Sequence, residues 1–285
     1  MTVASNVDRA VVDGFGDEWS RFDQLGLPPA EHQKLFDTYF AIFPWEDLSG
    51  DSVGADFGCG SGRWARLVAP RIGMLHCVDA SACALDVARR ALAGLPNVQF
   101  HHTSIGDLAL DEGSLDFGYS LGVLHHLPDT QAGLEACVRT LKNGAPFLVY
   151  LYYAFDNRPR WFRAIWRISD LLRRATSRLP HGLRYVASQG IAAVLYWPLA
   201  RTAGLLERAG LSVDGFPLSA YRDRSFYAMR TDALDRFGTR LEKRFTRAEI
   251  AAMMAQAGLE DIRFHEGGAY WCAVGKKANK SAGTR

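Results

Sequence analysis

Three glycines at alternate positions, Gly58, Gly60 and Gly62, close the run Val53-Gly-Ala-Asp-Phe-Gly-Cys-Gly-Ser-Gly62. Asp79 ends a second short run, Leu75-His-Cys-Val-Asp79. The first run reads as a buried strand, a glycine-rich turn and a helix start. Glycines let such a turn tighten and let the backbone approach a ligand, since a Cβ would clash or forbid the dihedrals. The carboxylate follows the first glycine by about 20 positions, the separation at which an acidic side chain reaches ribose hydroxyls. These residue types and spacings point to an adenosine-bearing ligand.

The elements that must hold these groups follow from periodicity. Between Ser52 and Tyr153, short apolar runs alternate with helical patterns. Strands are predicted at Gly54–Phe57, Met74–Val78, Val98–His101, Leu115–Ser120 and Pro146–Leu151, and helices at Arg63–Val68, Ala82–Leu92 and Gln131–Leu141. Strands alternating with helices imply a mostly parallel sheet covered on both faces. Upstream, Glu31 to Phe43 carries apolar residues at helical spacing. Downstream, Thr246 with Glu249 three residues later is a capping-box signature, followed by predicted strands Ile262–His265 and Tyr270–Val274.

Composition narrows the class. The chain has 285 residues, a net charge of +2 and 48% hydrophobic residues, enough for one α/β domain and a large insertion. This charge balance argues against nucleic acid as the main partner. Five cysteines without CxxC spacing suit reduced thiols in a cytoplasm, and neither they nor the histidines form a metal motif. The N-terminus has no apolar signal core. The apolar stretch Ile191 to Leu206 is broken by Pro198 and Arg201 and falls short of a membrane span.

The glycine spacing is Gly-x-Gly-x-Gly, not the Gly-x-Gly-x-x-Gly suited to a dinucleotide. With Asp56, Asp79 and the run Leu115-Asp-Phe-Gly-Tyr-Ser-Leu-Gly-Val-Leu-His-His-Leu-Pro-Asp129, the chain resembles the small-molecule, class I S-adenosylmethionine-dependent methyltransferases. The resemblance covers residues 50 to 153 and 246 to 275, and covers 156 to 245 poorly. It implies an α/β, Rossmann-like, doubly wound and mostly parallel sheet with a mainly helical insertion. The expected organisation is a helical arm over the cofactor pocket (1–50), a cofactor-binding core (51–153), an acceptor cap (154–245), the last helix and strands of the core (246–275) and a disordered tail (276–285).

Carried onto this sequence, the resemblance implies S-adenosyl-L-methionine as cofactor. Asp56 would orient the first loop and the cofactor amino group, with Gly58, Cys59 and Gly60 beneath the methionine portion. Asp79 would hold the ribose hydroxyls, Ala80 would pack on adenine, and Ser104 and Ile105 would line its polar edge. Many family members have an aspartate where Ser104 stands. Leu121 and His125 would sit near the sulfonium and the acceptor. His125 and His126 fit either a general base or a loop-orienting pair. Phe15, Trp19 and Phe22 would wall the pocket and favour the cation through their faces, or would anchor the arm to the core.

Acceptor contacts are expected from Tyr152, Tyr153, Asp156, Tyr221, Arg222, Tyr227, Arg230 and Asp232, among which Tyr152, Tyr227 and Arg230 join His125 as catalytic candidates. The segment Phe216 to Arg244 shows little periodicity and reads as irregular. Arg158, Arg160, Arg163, Arg167, Arg173, Arg174, Arg178 and Arg184 alternate with apolar residues. They make a solvated amphipathic face or a weak contact with an anionic membrane surface. The expected activity is methyl transfer to oxygen, nitrogen or sulfur of a small molecule. Two other readings stand beside it: attack on another sulfonium carbon with release of methylthioadenosine, and a non-catalytic cofactor-binding or peripheral membrane module.

Overall fold

The computed structural model describes residues 6–155, 160–213, 215–266 and 272–279. Asp156, Arg158 and Tyr270 lie outside the described residues, as do 280–285 of the expected tail. The chain divides into two compact units. The first comprises Met1–Asp23, Leu35–Asp156 and Leu241–Arg285, and the second Gln24–Lys34 and Asn157–Arg240.

The first unit is built on a seven-stranded sheet. Its strands are β1 (Val53–Phe57), β2 (Met74–Asp79), β3 (Val98–His102), β4 (Phe117–Leu121), β5 (Pro146–Tyr150), β6 (Leu259–Phe264) and β7 (Cys272–Lys277). The order is β3-β2-β1-β4-β5-β7-β6. The first five strands run parallel, and β7 pairs antiparallel with both β5 and β6. Every residue of β4 is buried, as an apolar strand covered on both faces requires. The strand order reverses at β1, between β2 and β4, which opens a crevice at the carboxyl ends of these strands.

Helices of this unit are α1 (Arg9–Arg21), α3 (Ala65–Val68), α4 (Ala82–Ala91), α5 (Thr130–Thr140) and α10 (Arg247–Gln256). Helix α2 (Pro29–Tyr39) carries the chain from the second unit into the first. Local side chains fix the starts: Ser81 Oγ accepts from Ala84 N at 3.3 Å, and Asp129 Oδ1 from Ala132 N at 3.0 Å. Thr246 and Glu249 form the expected capping box, satisfying amide groups a bare helix end leaves unpaired. Leu134 and Val138 of α5 pack with Ile250 and Met254 of α10 against Phe57 and Phe147. An aromatic cluster, Phe40 and Phe43 with Phe117 and Tyr119, packs elsewhere on the sheet.

The second unit is helical: α6 (Arg160–Thr176), α7 (His181–Ile191), a π-turn at Ala192–Tyr196, α8 (Trp197–Arg208) and α9 (Phe226–Gly238). Its core joins Ala192, Tyr196 and Ala200 to Met229, Ala233 and Phe237. Residues 24–34 belong to it: Gln24 N donates to Tyr227 Oη at 2.9 Å, and both Glu31 carboxylate oxygens accept from Ser225 N at 3.1 Å. The expectation that Phe216 to Arg244 is irregular is corrected by α9. Its apolar residues are interleaved with polar ones that also face protein. Asp232, for example, accepts from Tyr196 Oη at 2.9 Å, so the helix shows no clean apolar stripe in sequence.

Candidate functional site

β1 delivers the glycine turn directly to the crevice. Gly58 N and Cys59 N both donate to Val78 O, at 2.7 and 3.0 Å, and so tie the turn to β2. Gly58 and Gly60 have φ of +84° and +54°. A Cβ on Gly58 would stand 2.5 Å from the Val123 methyl carbons, and one on Gly60 would stand 2.8 Å from Trp19 Nε1. Helix α1 thus lays its indole against the turn, with Arg63 near the same ring at 5.9 Å. Phe15, one turn earlier, has its ring 4.9 Å from that of His126. Phe22 is buried.

Asp79 closes the corner. Its Oδ2 accepts from Gly60 N at 2.9 Å and its Oδ1 from Ser81 N at 2.8 Å. A carboxylate offers about four acceptor sites, so capacity remains for ligand hydroxyls. Burial raises its pKa, opposed by the two backbone amides. Asp56 is 1% exposed and accepts from Tyr119 Oη at 3.0 Å. Burial pushes its carboxyl up to about 8, so it is mostly protonated at neutral pH. Contact with Cys77 and burial hold the Cys59 thiol well above its ordinary range, which leaves a small filler and no thiolate nucleophile.

At the β3 end, Ala80 O lies 3.1 Å from His102 Nε2. Ser104 Oγ donates to Asp107 Oδ2 at 2.6 Å and accepts from Asp107 N at 3.2 Å. Ile105 turns its side chain into the core, so its backbone is what it offers here. Leu121 ends β4 and is buried.

After β4, the short 3₁₀ turn Leu124–His126 buries both histidines. His125 stacks on Tyr152 with centroids 3.9 Å apart at 29°, and neither ring nitrogen has a hydrogen-bond partner among the described residues. Burial, then His126 and Arg244, hold its pKa well below the usual histidine value. The ring is therefore neutral. His126 Nδ1 lies 2.7 Å from Leu241 O, and Lys243 N donates to His125 O at 3.2 Å. The same segment brings in Arg244, 5.0 Å from the Tyr152 ring and 2.6 Å from Glu242 Oε1.

The first unit therefore gathers Trp19, Asp56, Gly58, Cys59, Gly60, Asp79, Ala80, Ser104, Leu121, His125 and Tyr152 at the carboxyl ends of parallel strands. Tyr227 and Arg230 belong to the second unit. There Arg230 Nη2 donates to Tyr185 Oη at 2.7 Å and Nε donates to Gln189. Tyr221 and Arg222 are in that unit as well, Arg222 paired with Glu207 at 2.7 Å.

Four residues at the site carry little or no signal in the sequence. Ser61 Oγ is buried in the glycine turn with no hydrogen-bond partner among the described residues, and the same holds for Glu242 Oε2 beside Arg244. Asp107 places a carboxylate beside Ser104, and the spacing Ser104-x-x-Asp107 was its only signal. Glu242 and Arg244 are about 90 residues from Tyr152 in the chain and gave none. The donor set suits the methionine and ribose portions of the cofactor: a carboxylate with spare acceptor capacity at Asp79, a buried hydroxyl at Ser61 with no partner among the described residues, and a turn with glycine at alternate positions.

Comparison with known proteins agrees. Residues 55–144 match the family described as "Methyltransferase domain". A ubiquinone biosynthesis O-methyltransferase of Paracidovorax citrulli is 31% identical over 161 residues, 54% of this chain and 64% of that protein. The protein of the same name from Hahella chejuensis is 32% identical over 163 residues, 55% of this chain and 66% of that one. The chain thus spans less than two thirds of these relatives. Among solved structures, an O-methyltransferase family protein from Burkholderia thailandensis has a TM-score of 0.52 at 13% identity, covering 95% of this chain and 60% of that one. A chain from a Haloferax volcanii complex containing a methyltransferase activator has a TM-score of 0.53 at 18% identity, covering 95% and 99%. At these identities the structures speak for the fold. Within the sheet unit, residues 55–144 are thus similar to a methyltransferase domain.

Proposed function

We propose that this protein transfers a methyl group from S-adenosylmethionine to a hydroxyl oxygen of a small molecule. The carrying observation is the junction of the glycine turn with Asp79, whose carboxylate is oriented by Gly60 N and Ser81 N. The bound cofactor supplies an activated methyl group on a sulfonium. Methyl transfer then asks the protein for in-line placement and exclusion of water more than for covalent help.

The residues divide that work. Asp79 accepts from the ribose hydroxyls, and Ser61 with the turn amides binds the methionine end. Asp107, held by Ser104, offers an acceptor for the adenine amino group. Trp19 excludes water and presents an aromatic face to positive charge. His125, neutral and with no hydrogen-bond partner for its ring nitrogens among the described residues, takes the proton of the acceptor hydroxyl, while Tyr152 stacks on its ring. Oxygen is favoured as the accepting atom because relatives at 31–32% identity bear the name O-methyltransferase.

The test is product analysis with the full chain, S-adenosylmethionine and a panel of hydroxyl, amine and thiol acceptors. The expected result is a product heavier by one methyl group, with S-adenosylhomocysteine in equal amount. Release of methylthioadenosine would instead show attack at another carbon.

A further inference from the structure

Helix α6 is turned inside out relative to an ordinary surface helix. Its buried residues are Asp170, Arg173 and Thr176. Trp161, Ile165, Ile168 and Leu172 are 48%, 49%, 69% and 50% exposed. Their spacings of four, three and four place them on one stripe of the helix. Arg160, Arg163, Arg167, Arg174 and Arg178 repeat at spacings of three, four, seven and four and are exposed along a neighbouring stripe. Helix α7 and the π-turn after it expose Leu183, Val186 and Val194 in the same manner.

The polar face is held inside by specific bonds. Asp170 pairs with Arg173 and Arg174 at 2.7 and 2.8 Å, and Arg173 Nη1 donates to Thr239 O at 2.9 Å. The outward apolar stripe is thus a consequence of fixed internal pairing. Contiguous exposed apolar surface of this kind marks an interaction site.

We propose that the second unit docks on an anionic membrane surface, with the α6 stripe inserted at the headgroup boundary and the arginine row on lipid phosphates. Three observations select this occupant. The arginine row beside an apolar stripe is the pattern of an interfacial helix. The unit as a whole carries 16 Lys and Arg against 7 Asp and Glu, a net +9, which complements anionic lipid and sets a second copy of the same face against itself. An open cavity of about 330 Å³ lined by Arg174, Ser177, Arg178 and Arg240 offers a cup for one headgroup phosphate. Among the described residues no helix is long and apolar enough to cross a membrane, so α6 lies on the surface. The proposal stands apart from the methyl-transfer reading, because it uses no residue of the sheet unit.

The test is sedimentation of the full chain with vesicles of phosphatidylcholine alone or mixed with phosphatidylglycerol, alongside light scattering without lipid. The wild type is expected to bind the anionic vesicles and to leave the neutral ones largely in the supernatant. Each arginine near an anionic surface is worth about fivefold in partitioning. Arg163→Ala with Arg167→Ala should therefore weaken binding roughly twentyfold. Ile168→Glu with Leu172→Glu should weaken it at least as much, and leave a folded circular-dichroism spectrum because both positions are exposed. Rising salt should reduce binding and leave a remainder from the apolar insertion. Absence of binding to anionic vesicles, or equal binding by both double variants, overturns the proposal. A dimer that dissociates in Ile168→Glu overturns it in favour of a second copy on this face.

Discussion

Both units of this chain bury an apolar core, but among the described residues the large apolar side chains left exposed lie in the helical one. In the sheet unit apolar residues fill the interior, and chemistry-bearing groups gather at strand ends: Asp56, Asp79 and His125 are each held by burial or backbone. In the helical unit, Asp170, Arg173 and Thr176 of α6 turn inward, and Trp161, Ile165, Ile168 and Leu172 turn out. Charge follows the same division. The sheet unit carries 17 Lys and Arg against 24 Asp and Glu, a net −7, while the helical unit is +9. A nearly neutral whole therefore conceals two units of opposite charge. The first carries the proposed cofactor site, and the second is the unit proposed to meet anionic lipid.

The comparison breaks most sharply at the glycine turn. Gly60→Val should weaken S-adenosylhomocysteine binding by more than about a hundredfold, since the residue sits at φ +54° and its Cβ would press on Trp19. The added side chain meets a flexible ring, so the circular-dichroism spectrum should persist. Calorimetry giving unaltered affinity would remove the turn from the binding site.

A second cut separates binding from chemistry inside the sheet unit. His125→Phe preserves an aromatic ring against Tyr152 and removes the proton acceptor. General-base contributions run to about 10²–10⁴, so kcat should fall at least about a hundredfold with cofactor affinity within about threefold. Equal turnover in the variant would make His125 a packing residue.

Asp56 makes the stability of the sheet unit depend on pH. Its folded pKa is about 8 against an ordinary 3.8. Below pH 3.8 both folded and unfolded states hold the proton and the residue costs nothing. Between 3.8 and 8 the unfolded state releases a proton that the folded state keeps, so stability is lost as pH rises. Asp56→Asn, which still accepts from Tyr119, should gain stability over wild type across that window, by several kcal/mol at its upper end. Denaturation at pH 5 and pH 8 measures it. An advantage independent of pH would contradict the buried, protonated carboxyl.

The smallest effect belongs to the helical unit. Arg230→Ala removes hydrogen bonds to Tyr185 and Gln189 and should lower unfolding free energy by about 1–3 kcal/mol, leaving cofactor affinity unchanged. A drop in affinity would show that the division between the units is false.

The sheet unit was largely legible in the sequence because its signals are local. Alternating apolar runs, the Ser81 and Thr246 caps and the glycine spacing each act within a few residues, and their elements stand within two or three positions of expectation. Two features were not legible. Arg244, paired with Glu242, reaches the Tyr152 ring through long-range folding, which no local spacing records. Helix α6 showed its amphipathic period plainly, but period alone does not say which face is buried. The Asp170 and Arg173 pairing decides that, and it depends on Thr239 and Arg240, far along the chain.

The central claim is that Asp79 is the anchor of an S-adenosylmethionine site in the sheet unit. The direct measurement is calorimetric titration of S-adenosylhomocysteine into wild type and Asp79→Ala, both checked for fold. Charged hydrogen bonds are worth about 1.5–3 kcal/mol each. Wild type should bind one equivalent, and Asp79→Ala should bind about tenfold to a hundredfold more weakly or worse. Wild type that fails to bind, or a variant that binds as tightly as wild type, would contradict the account.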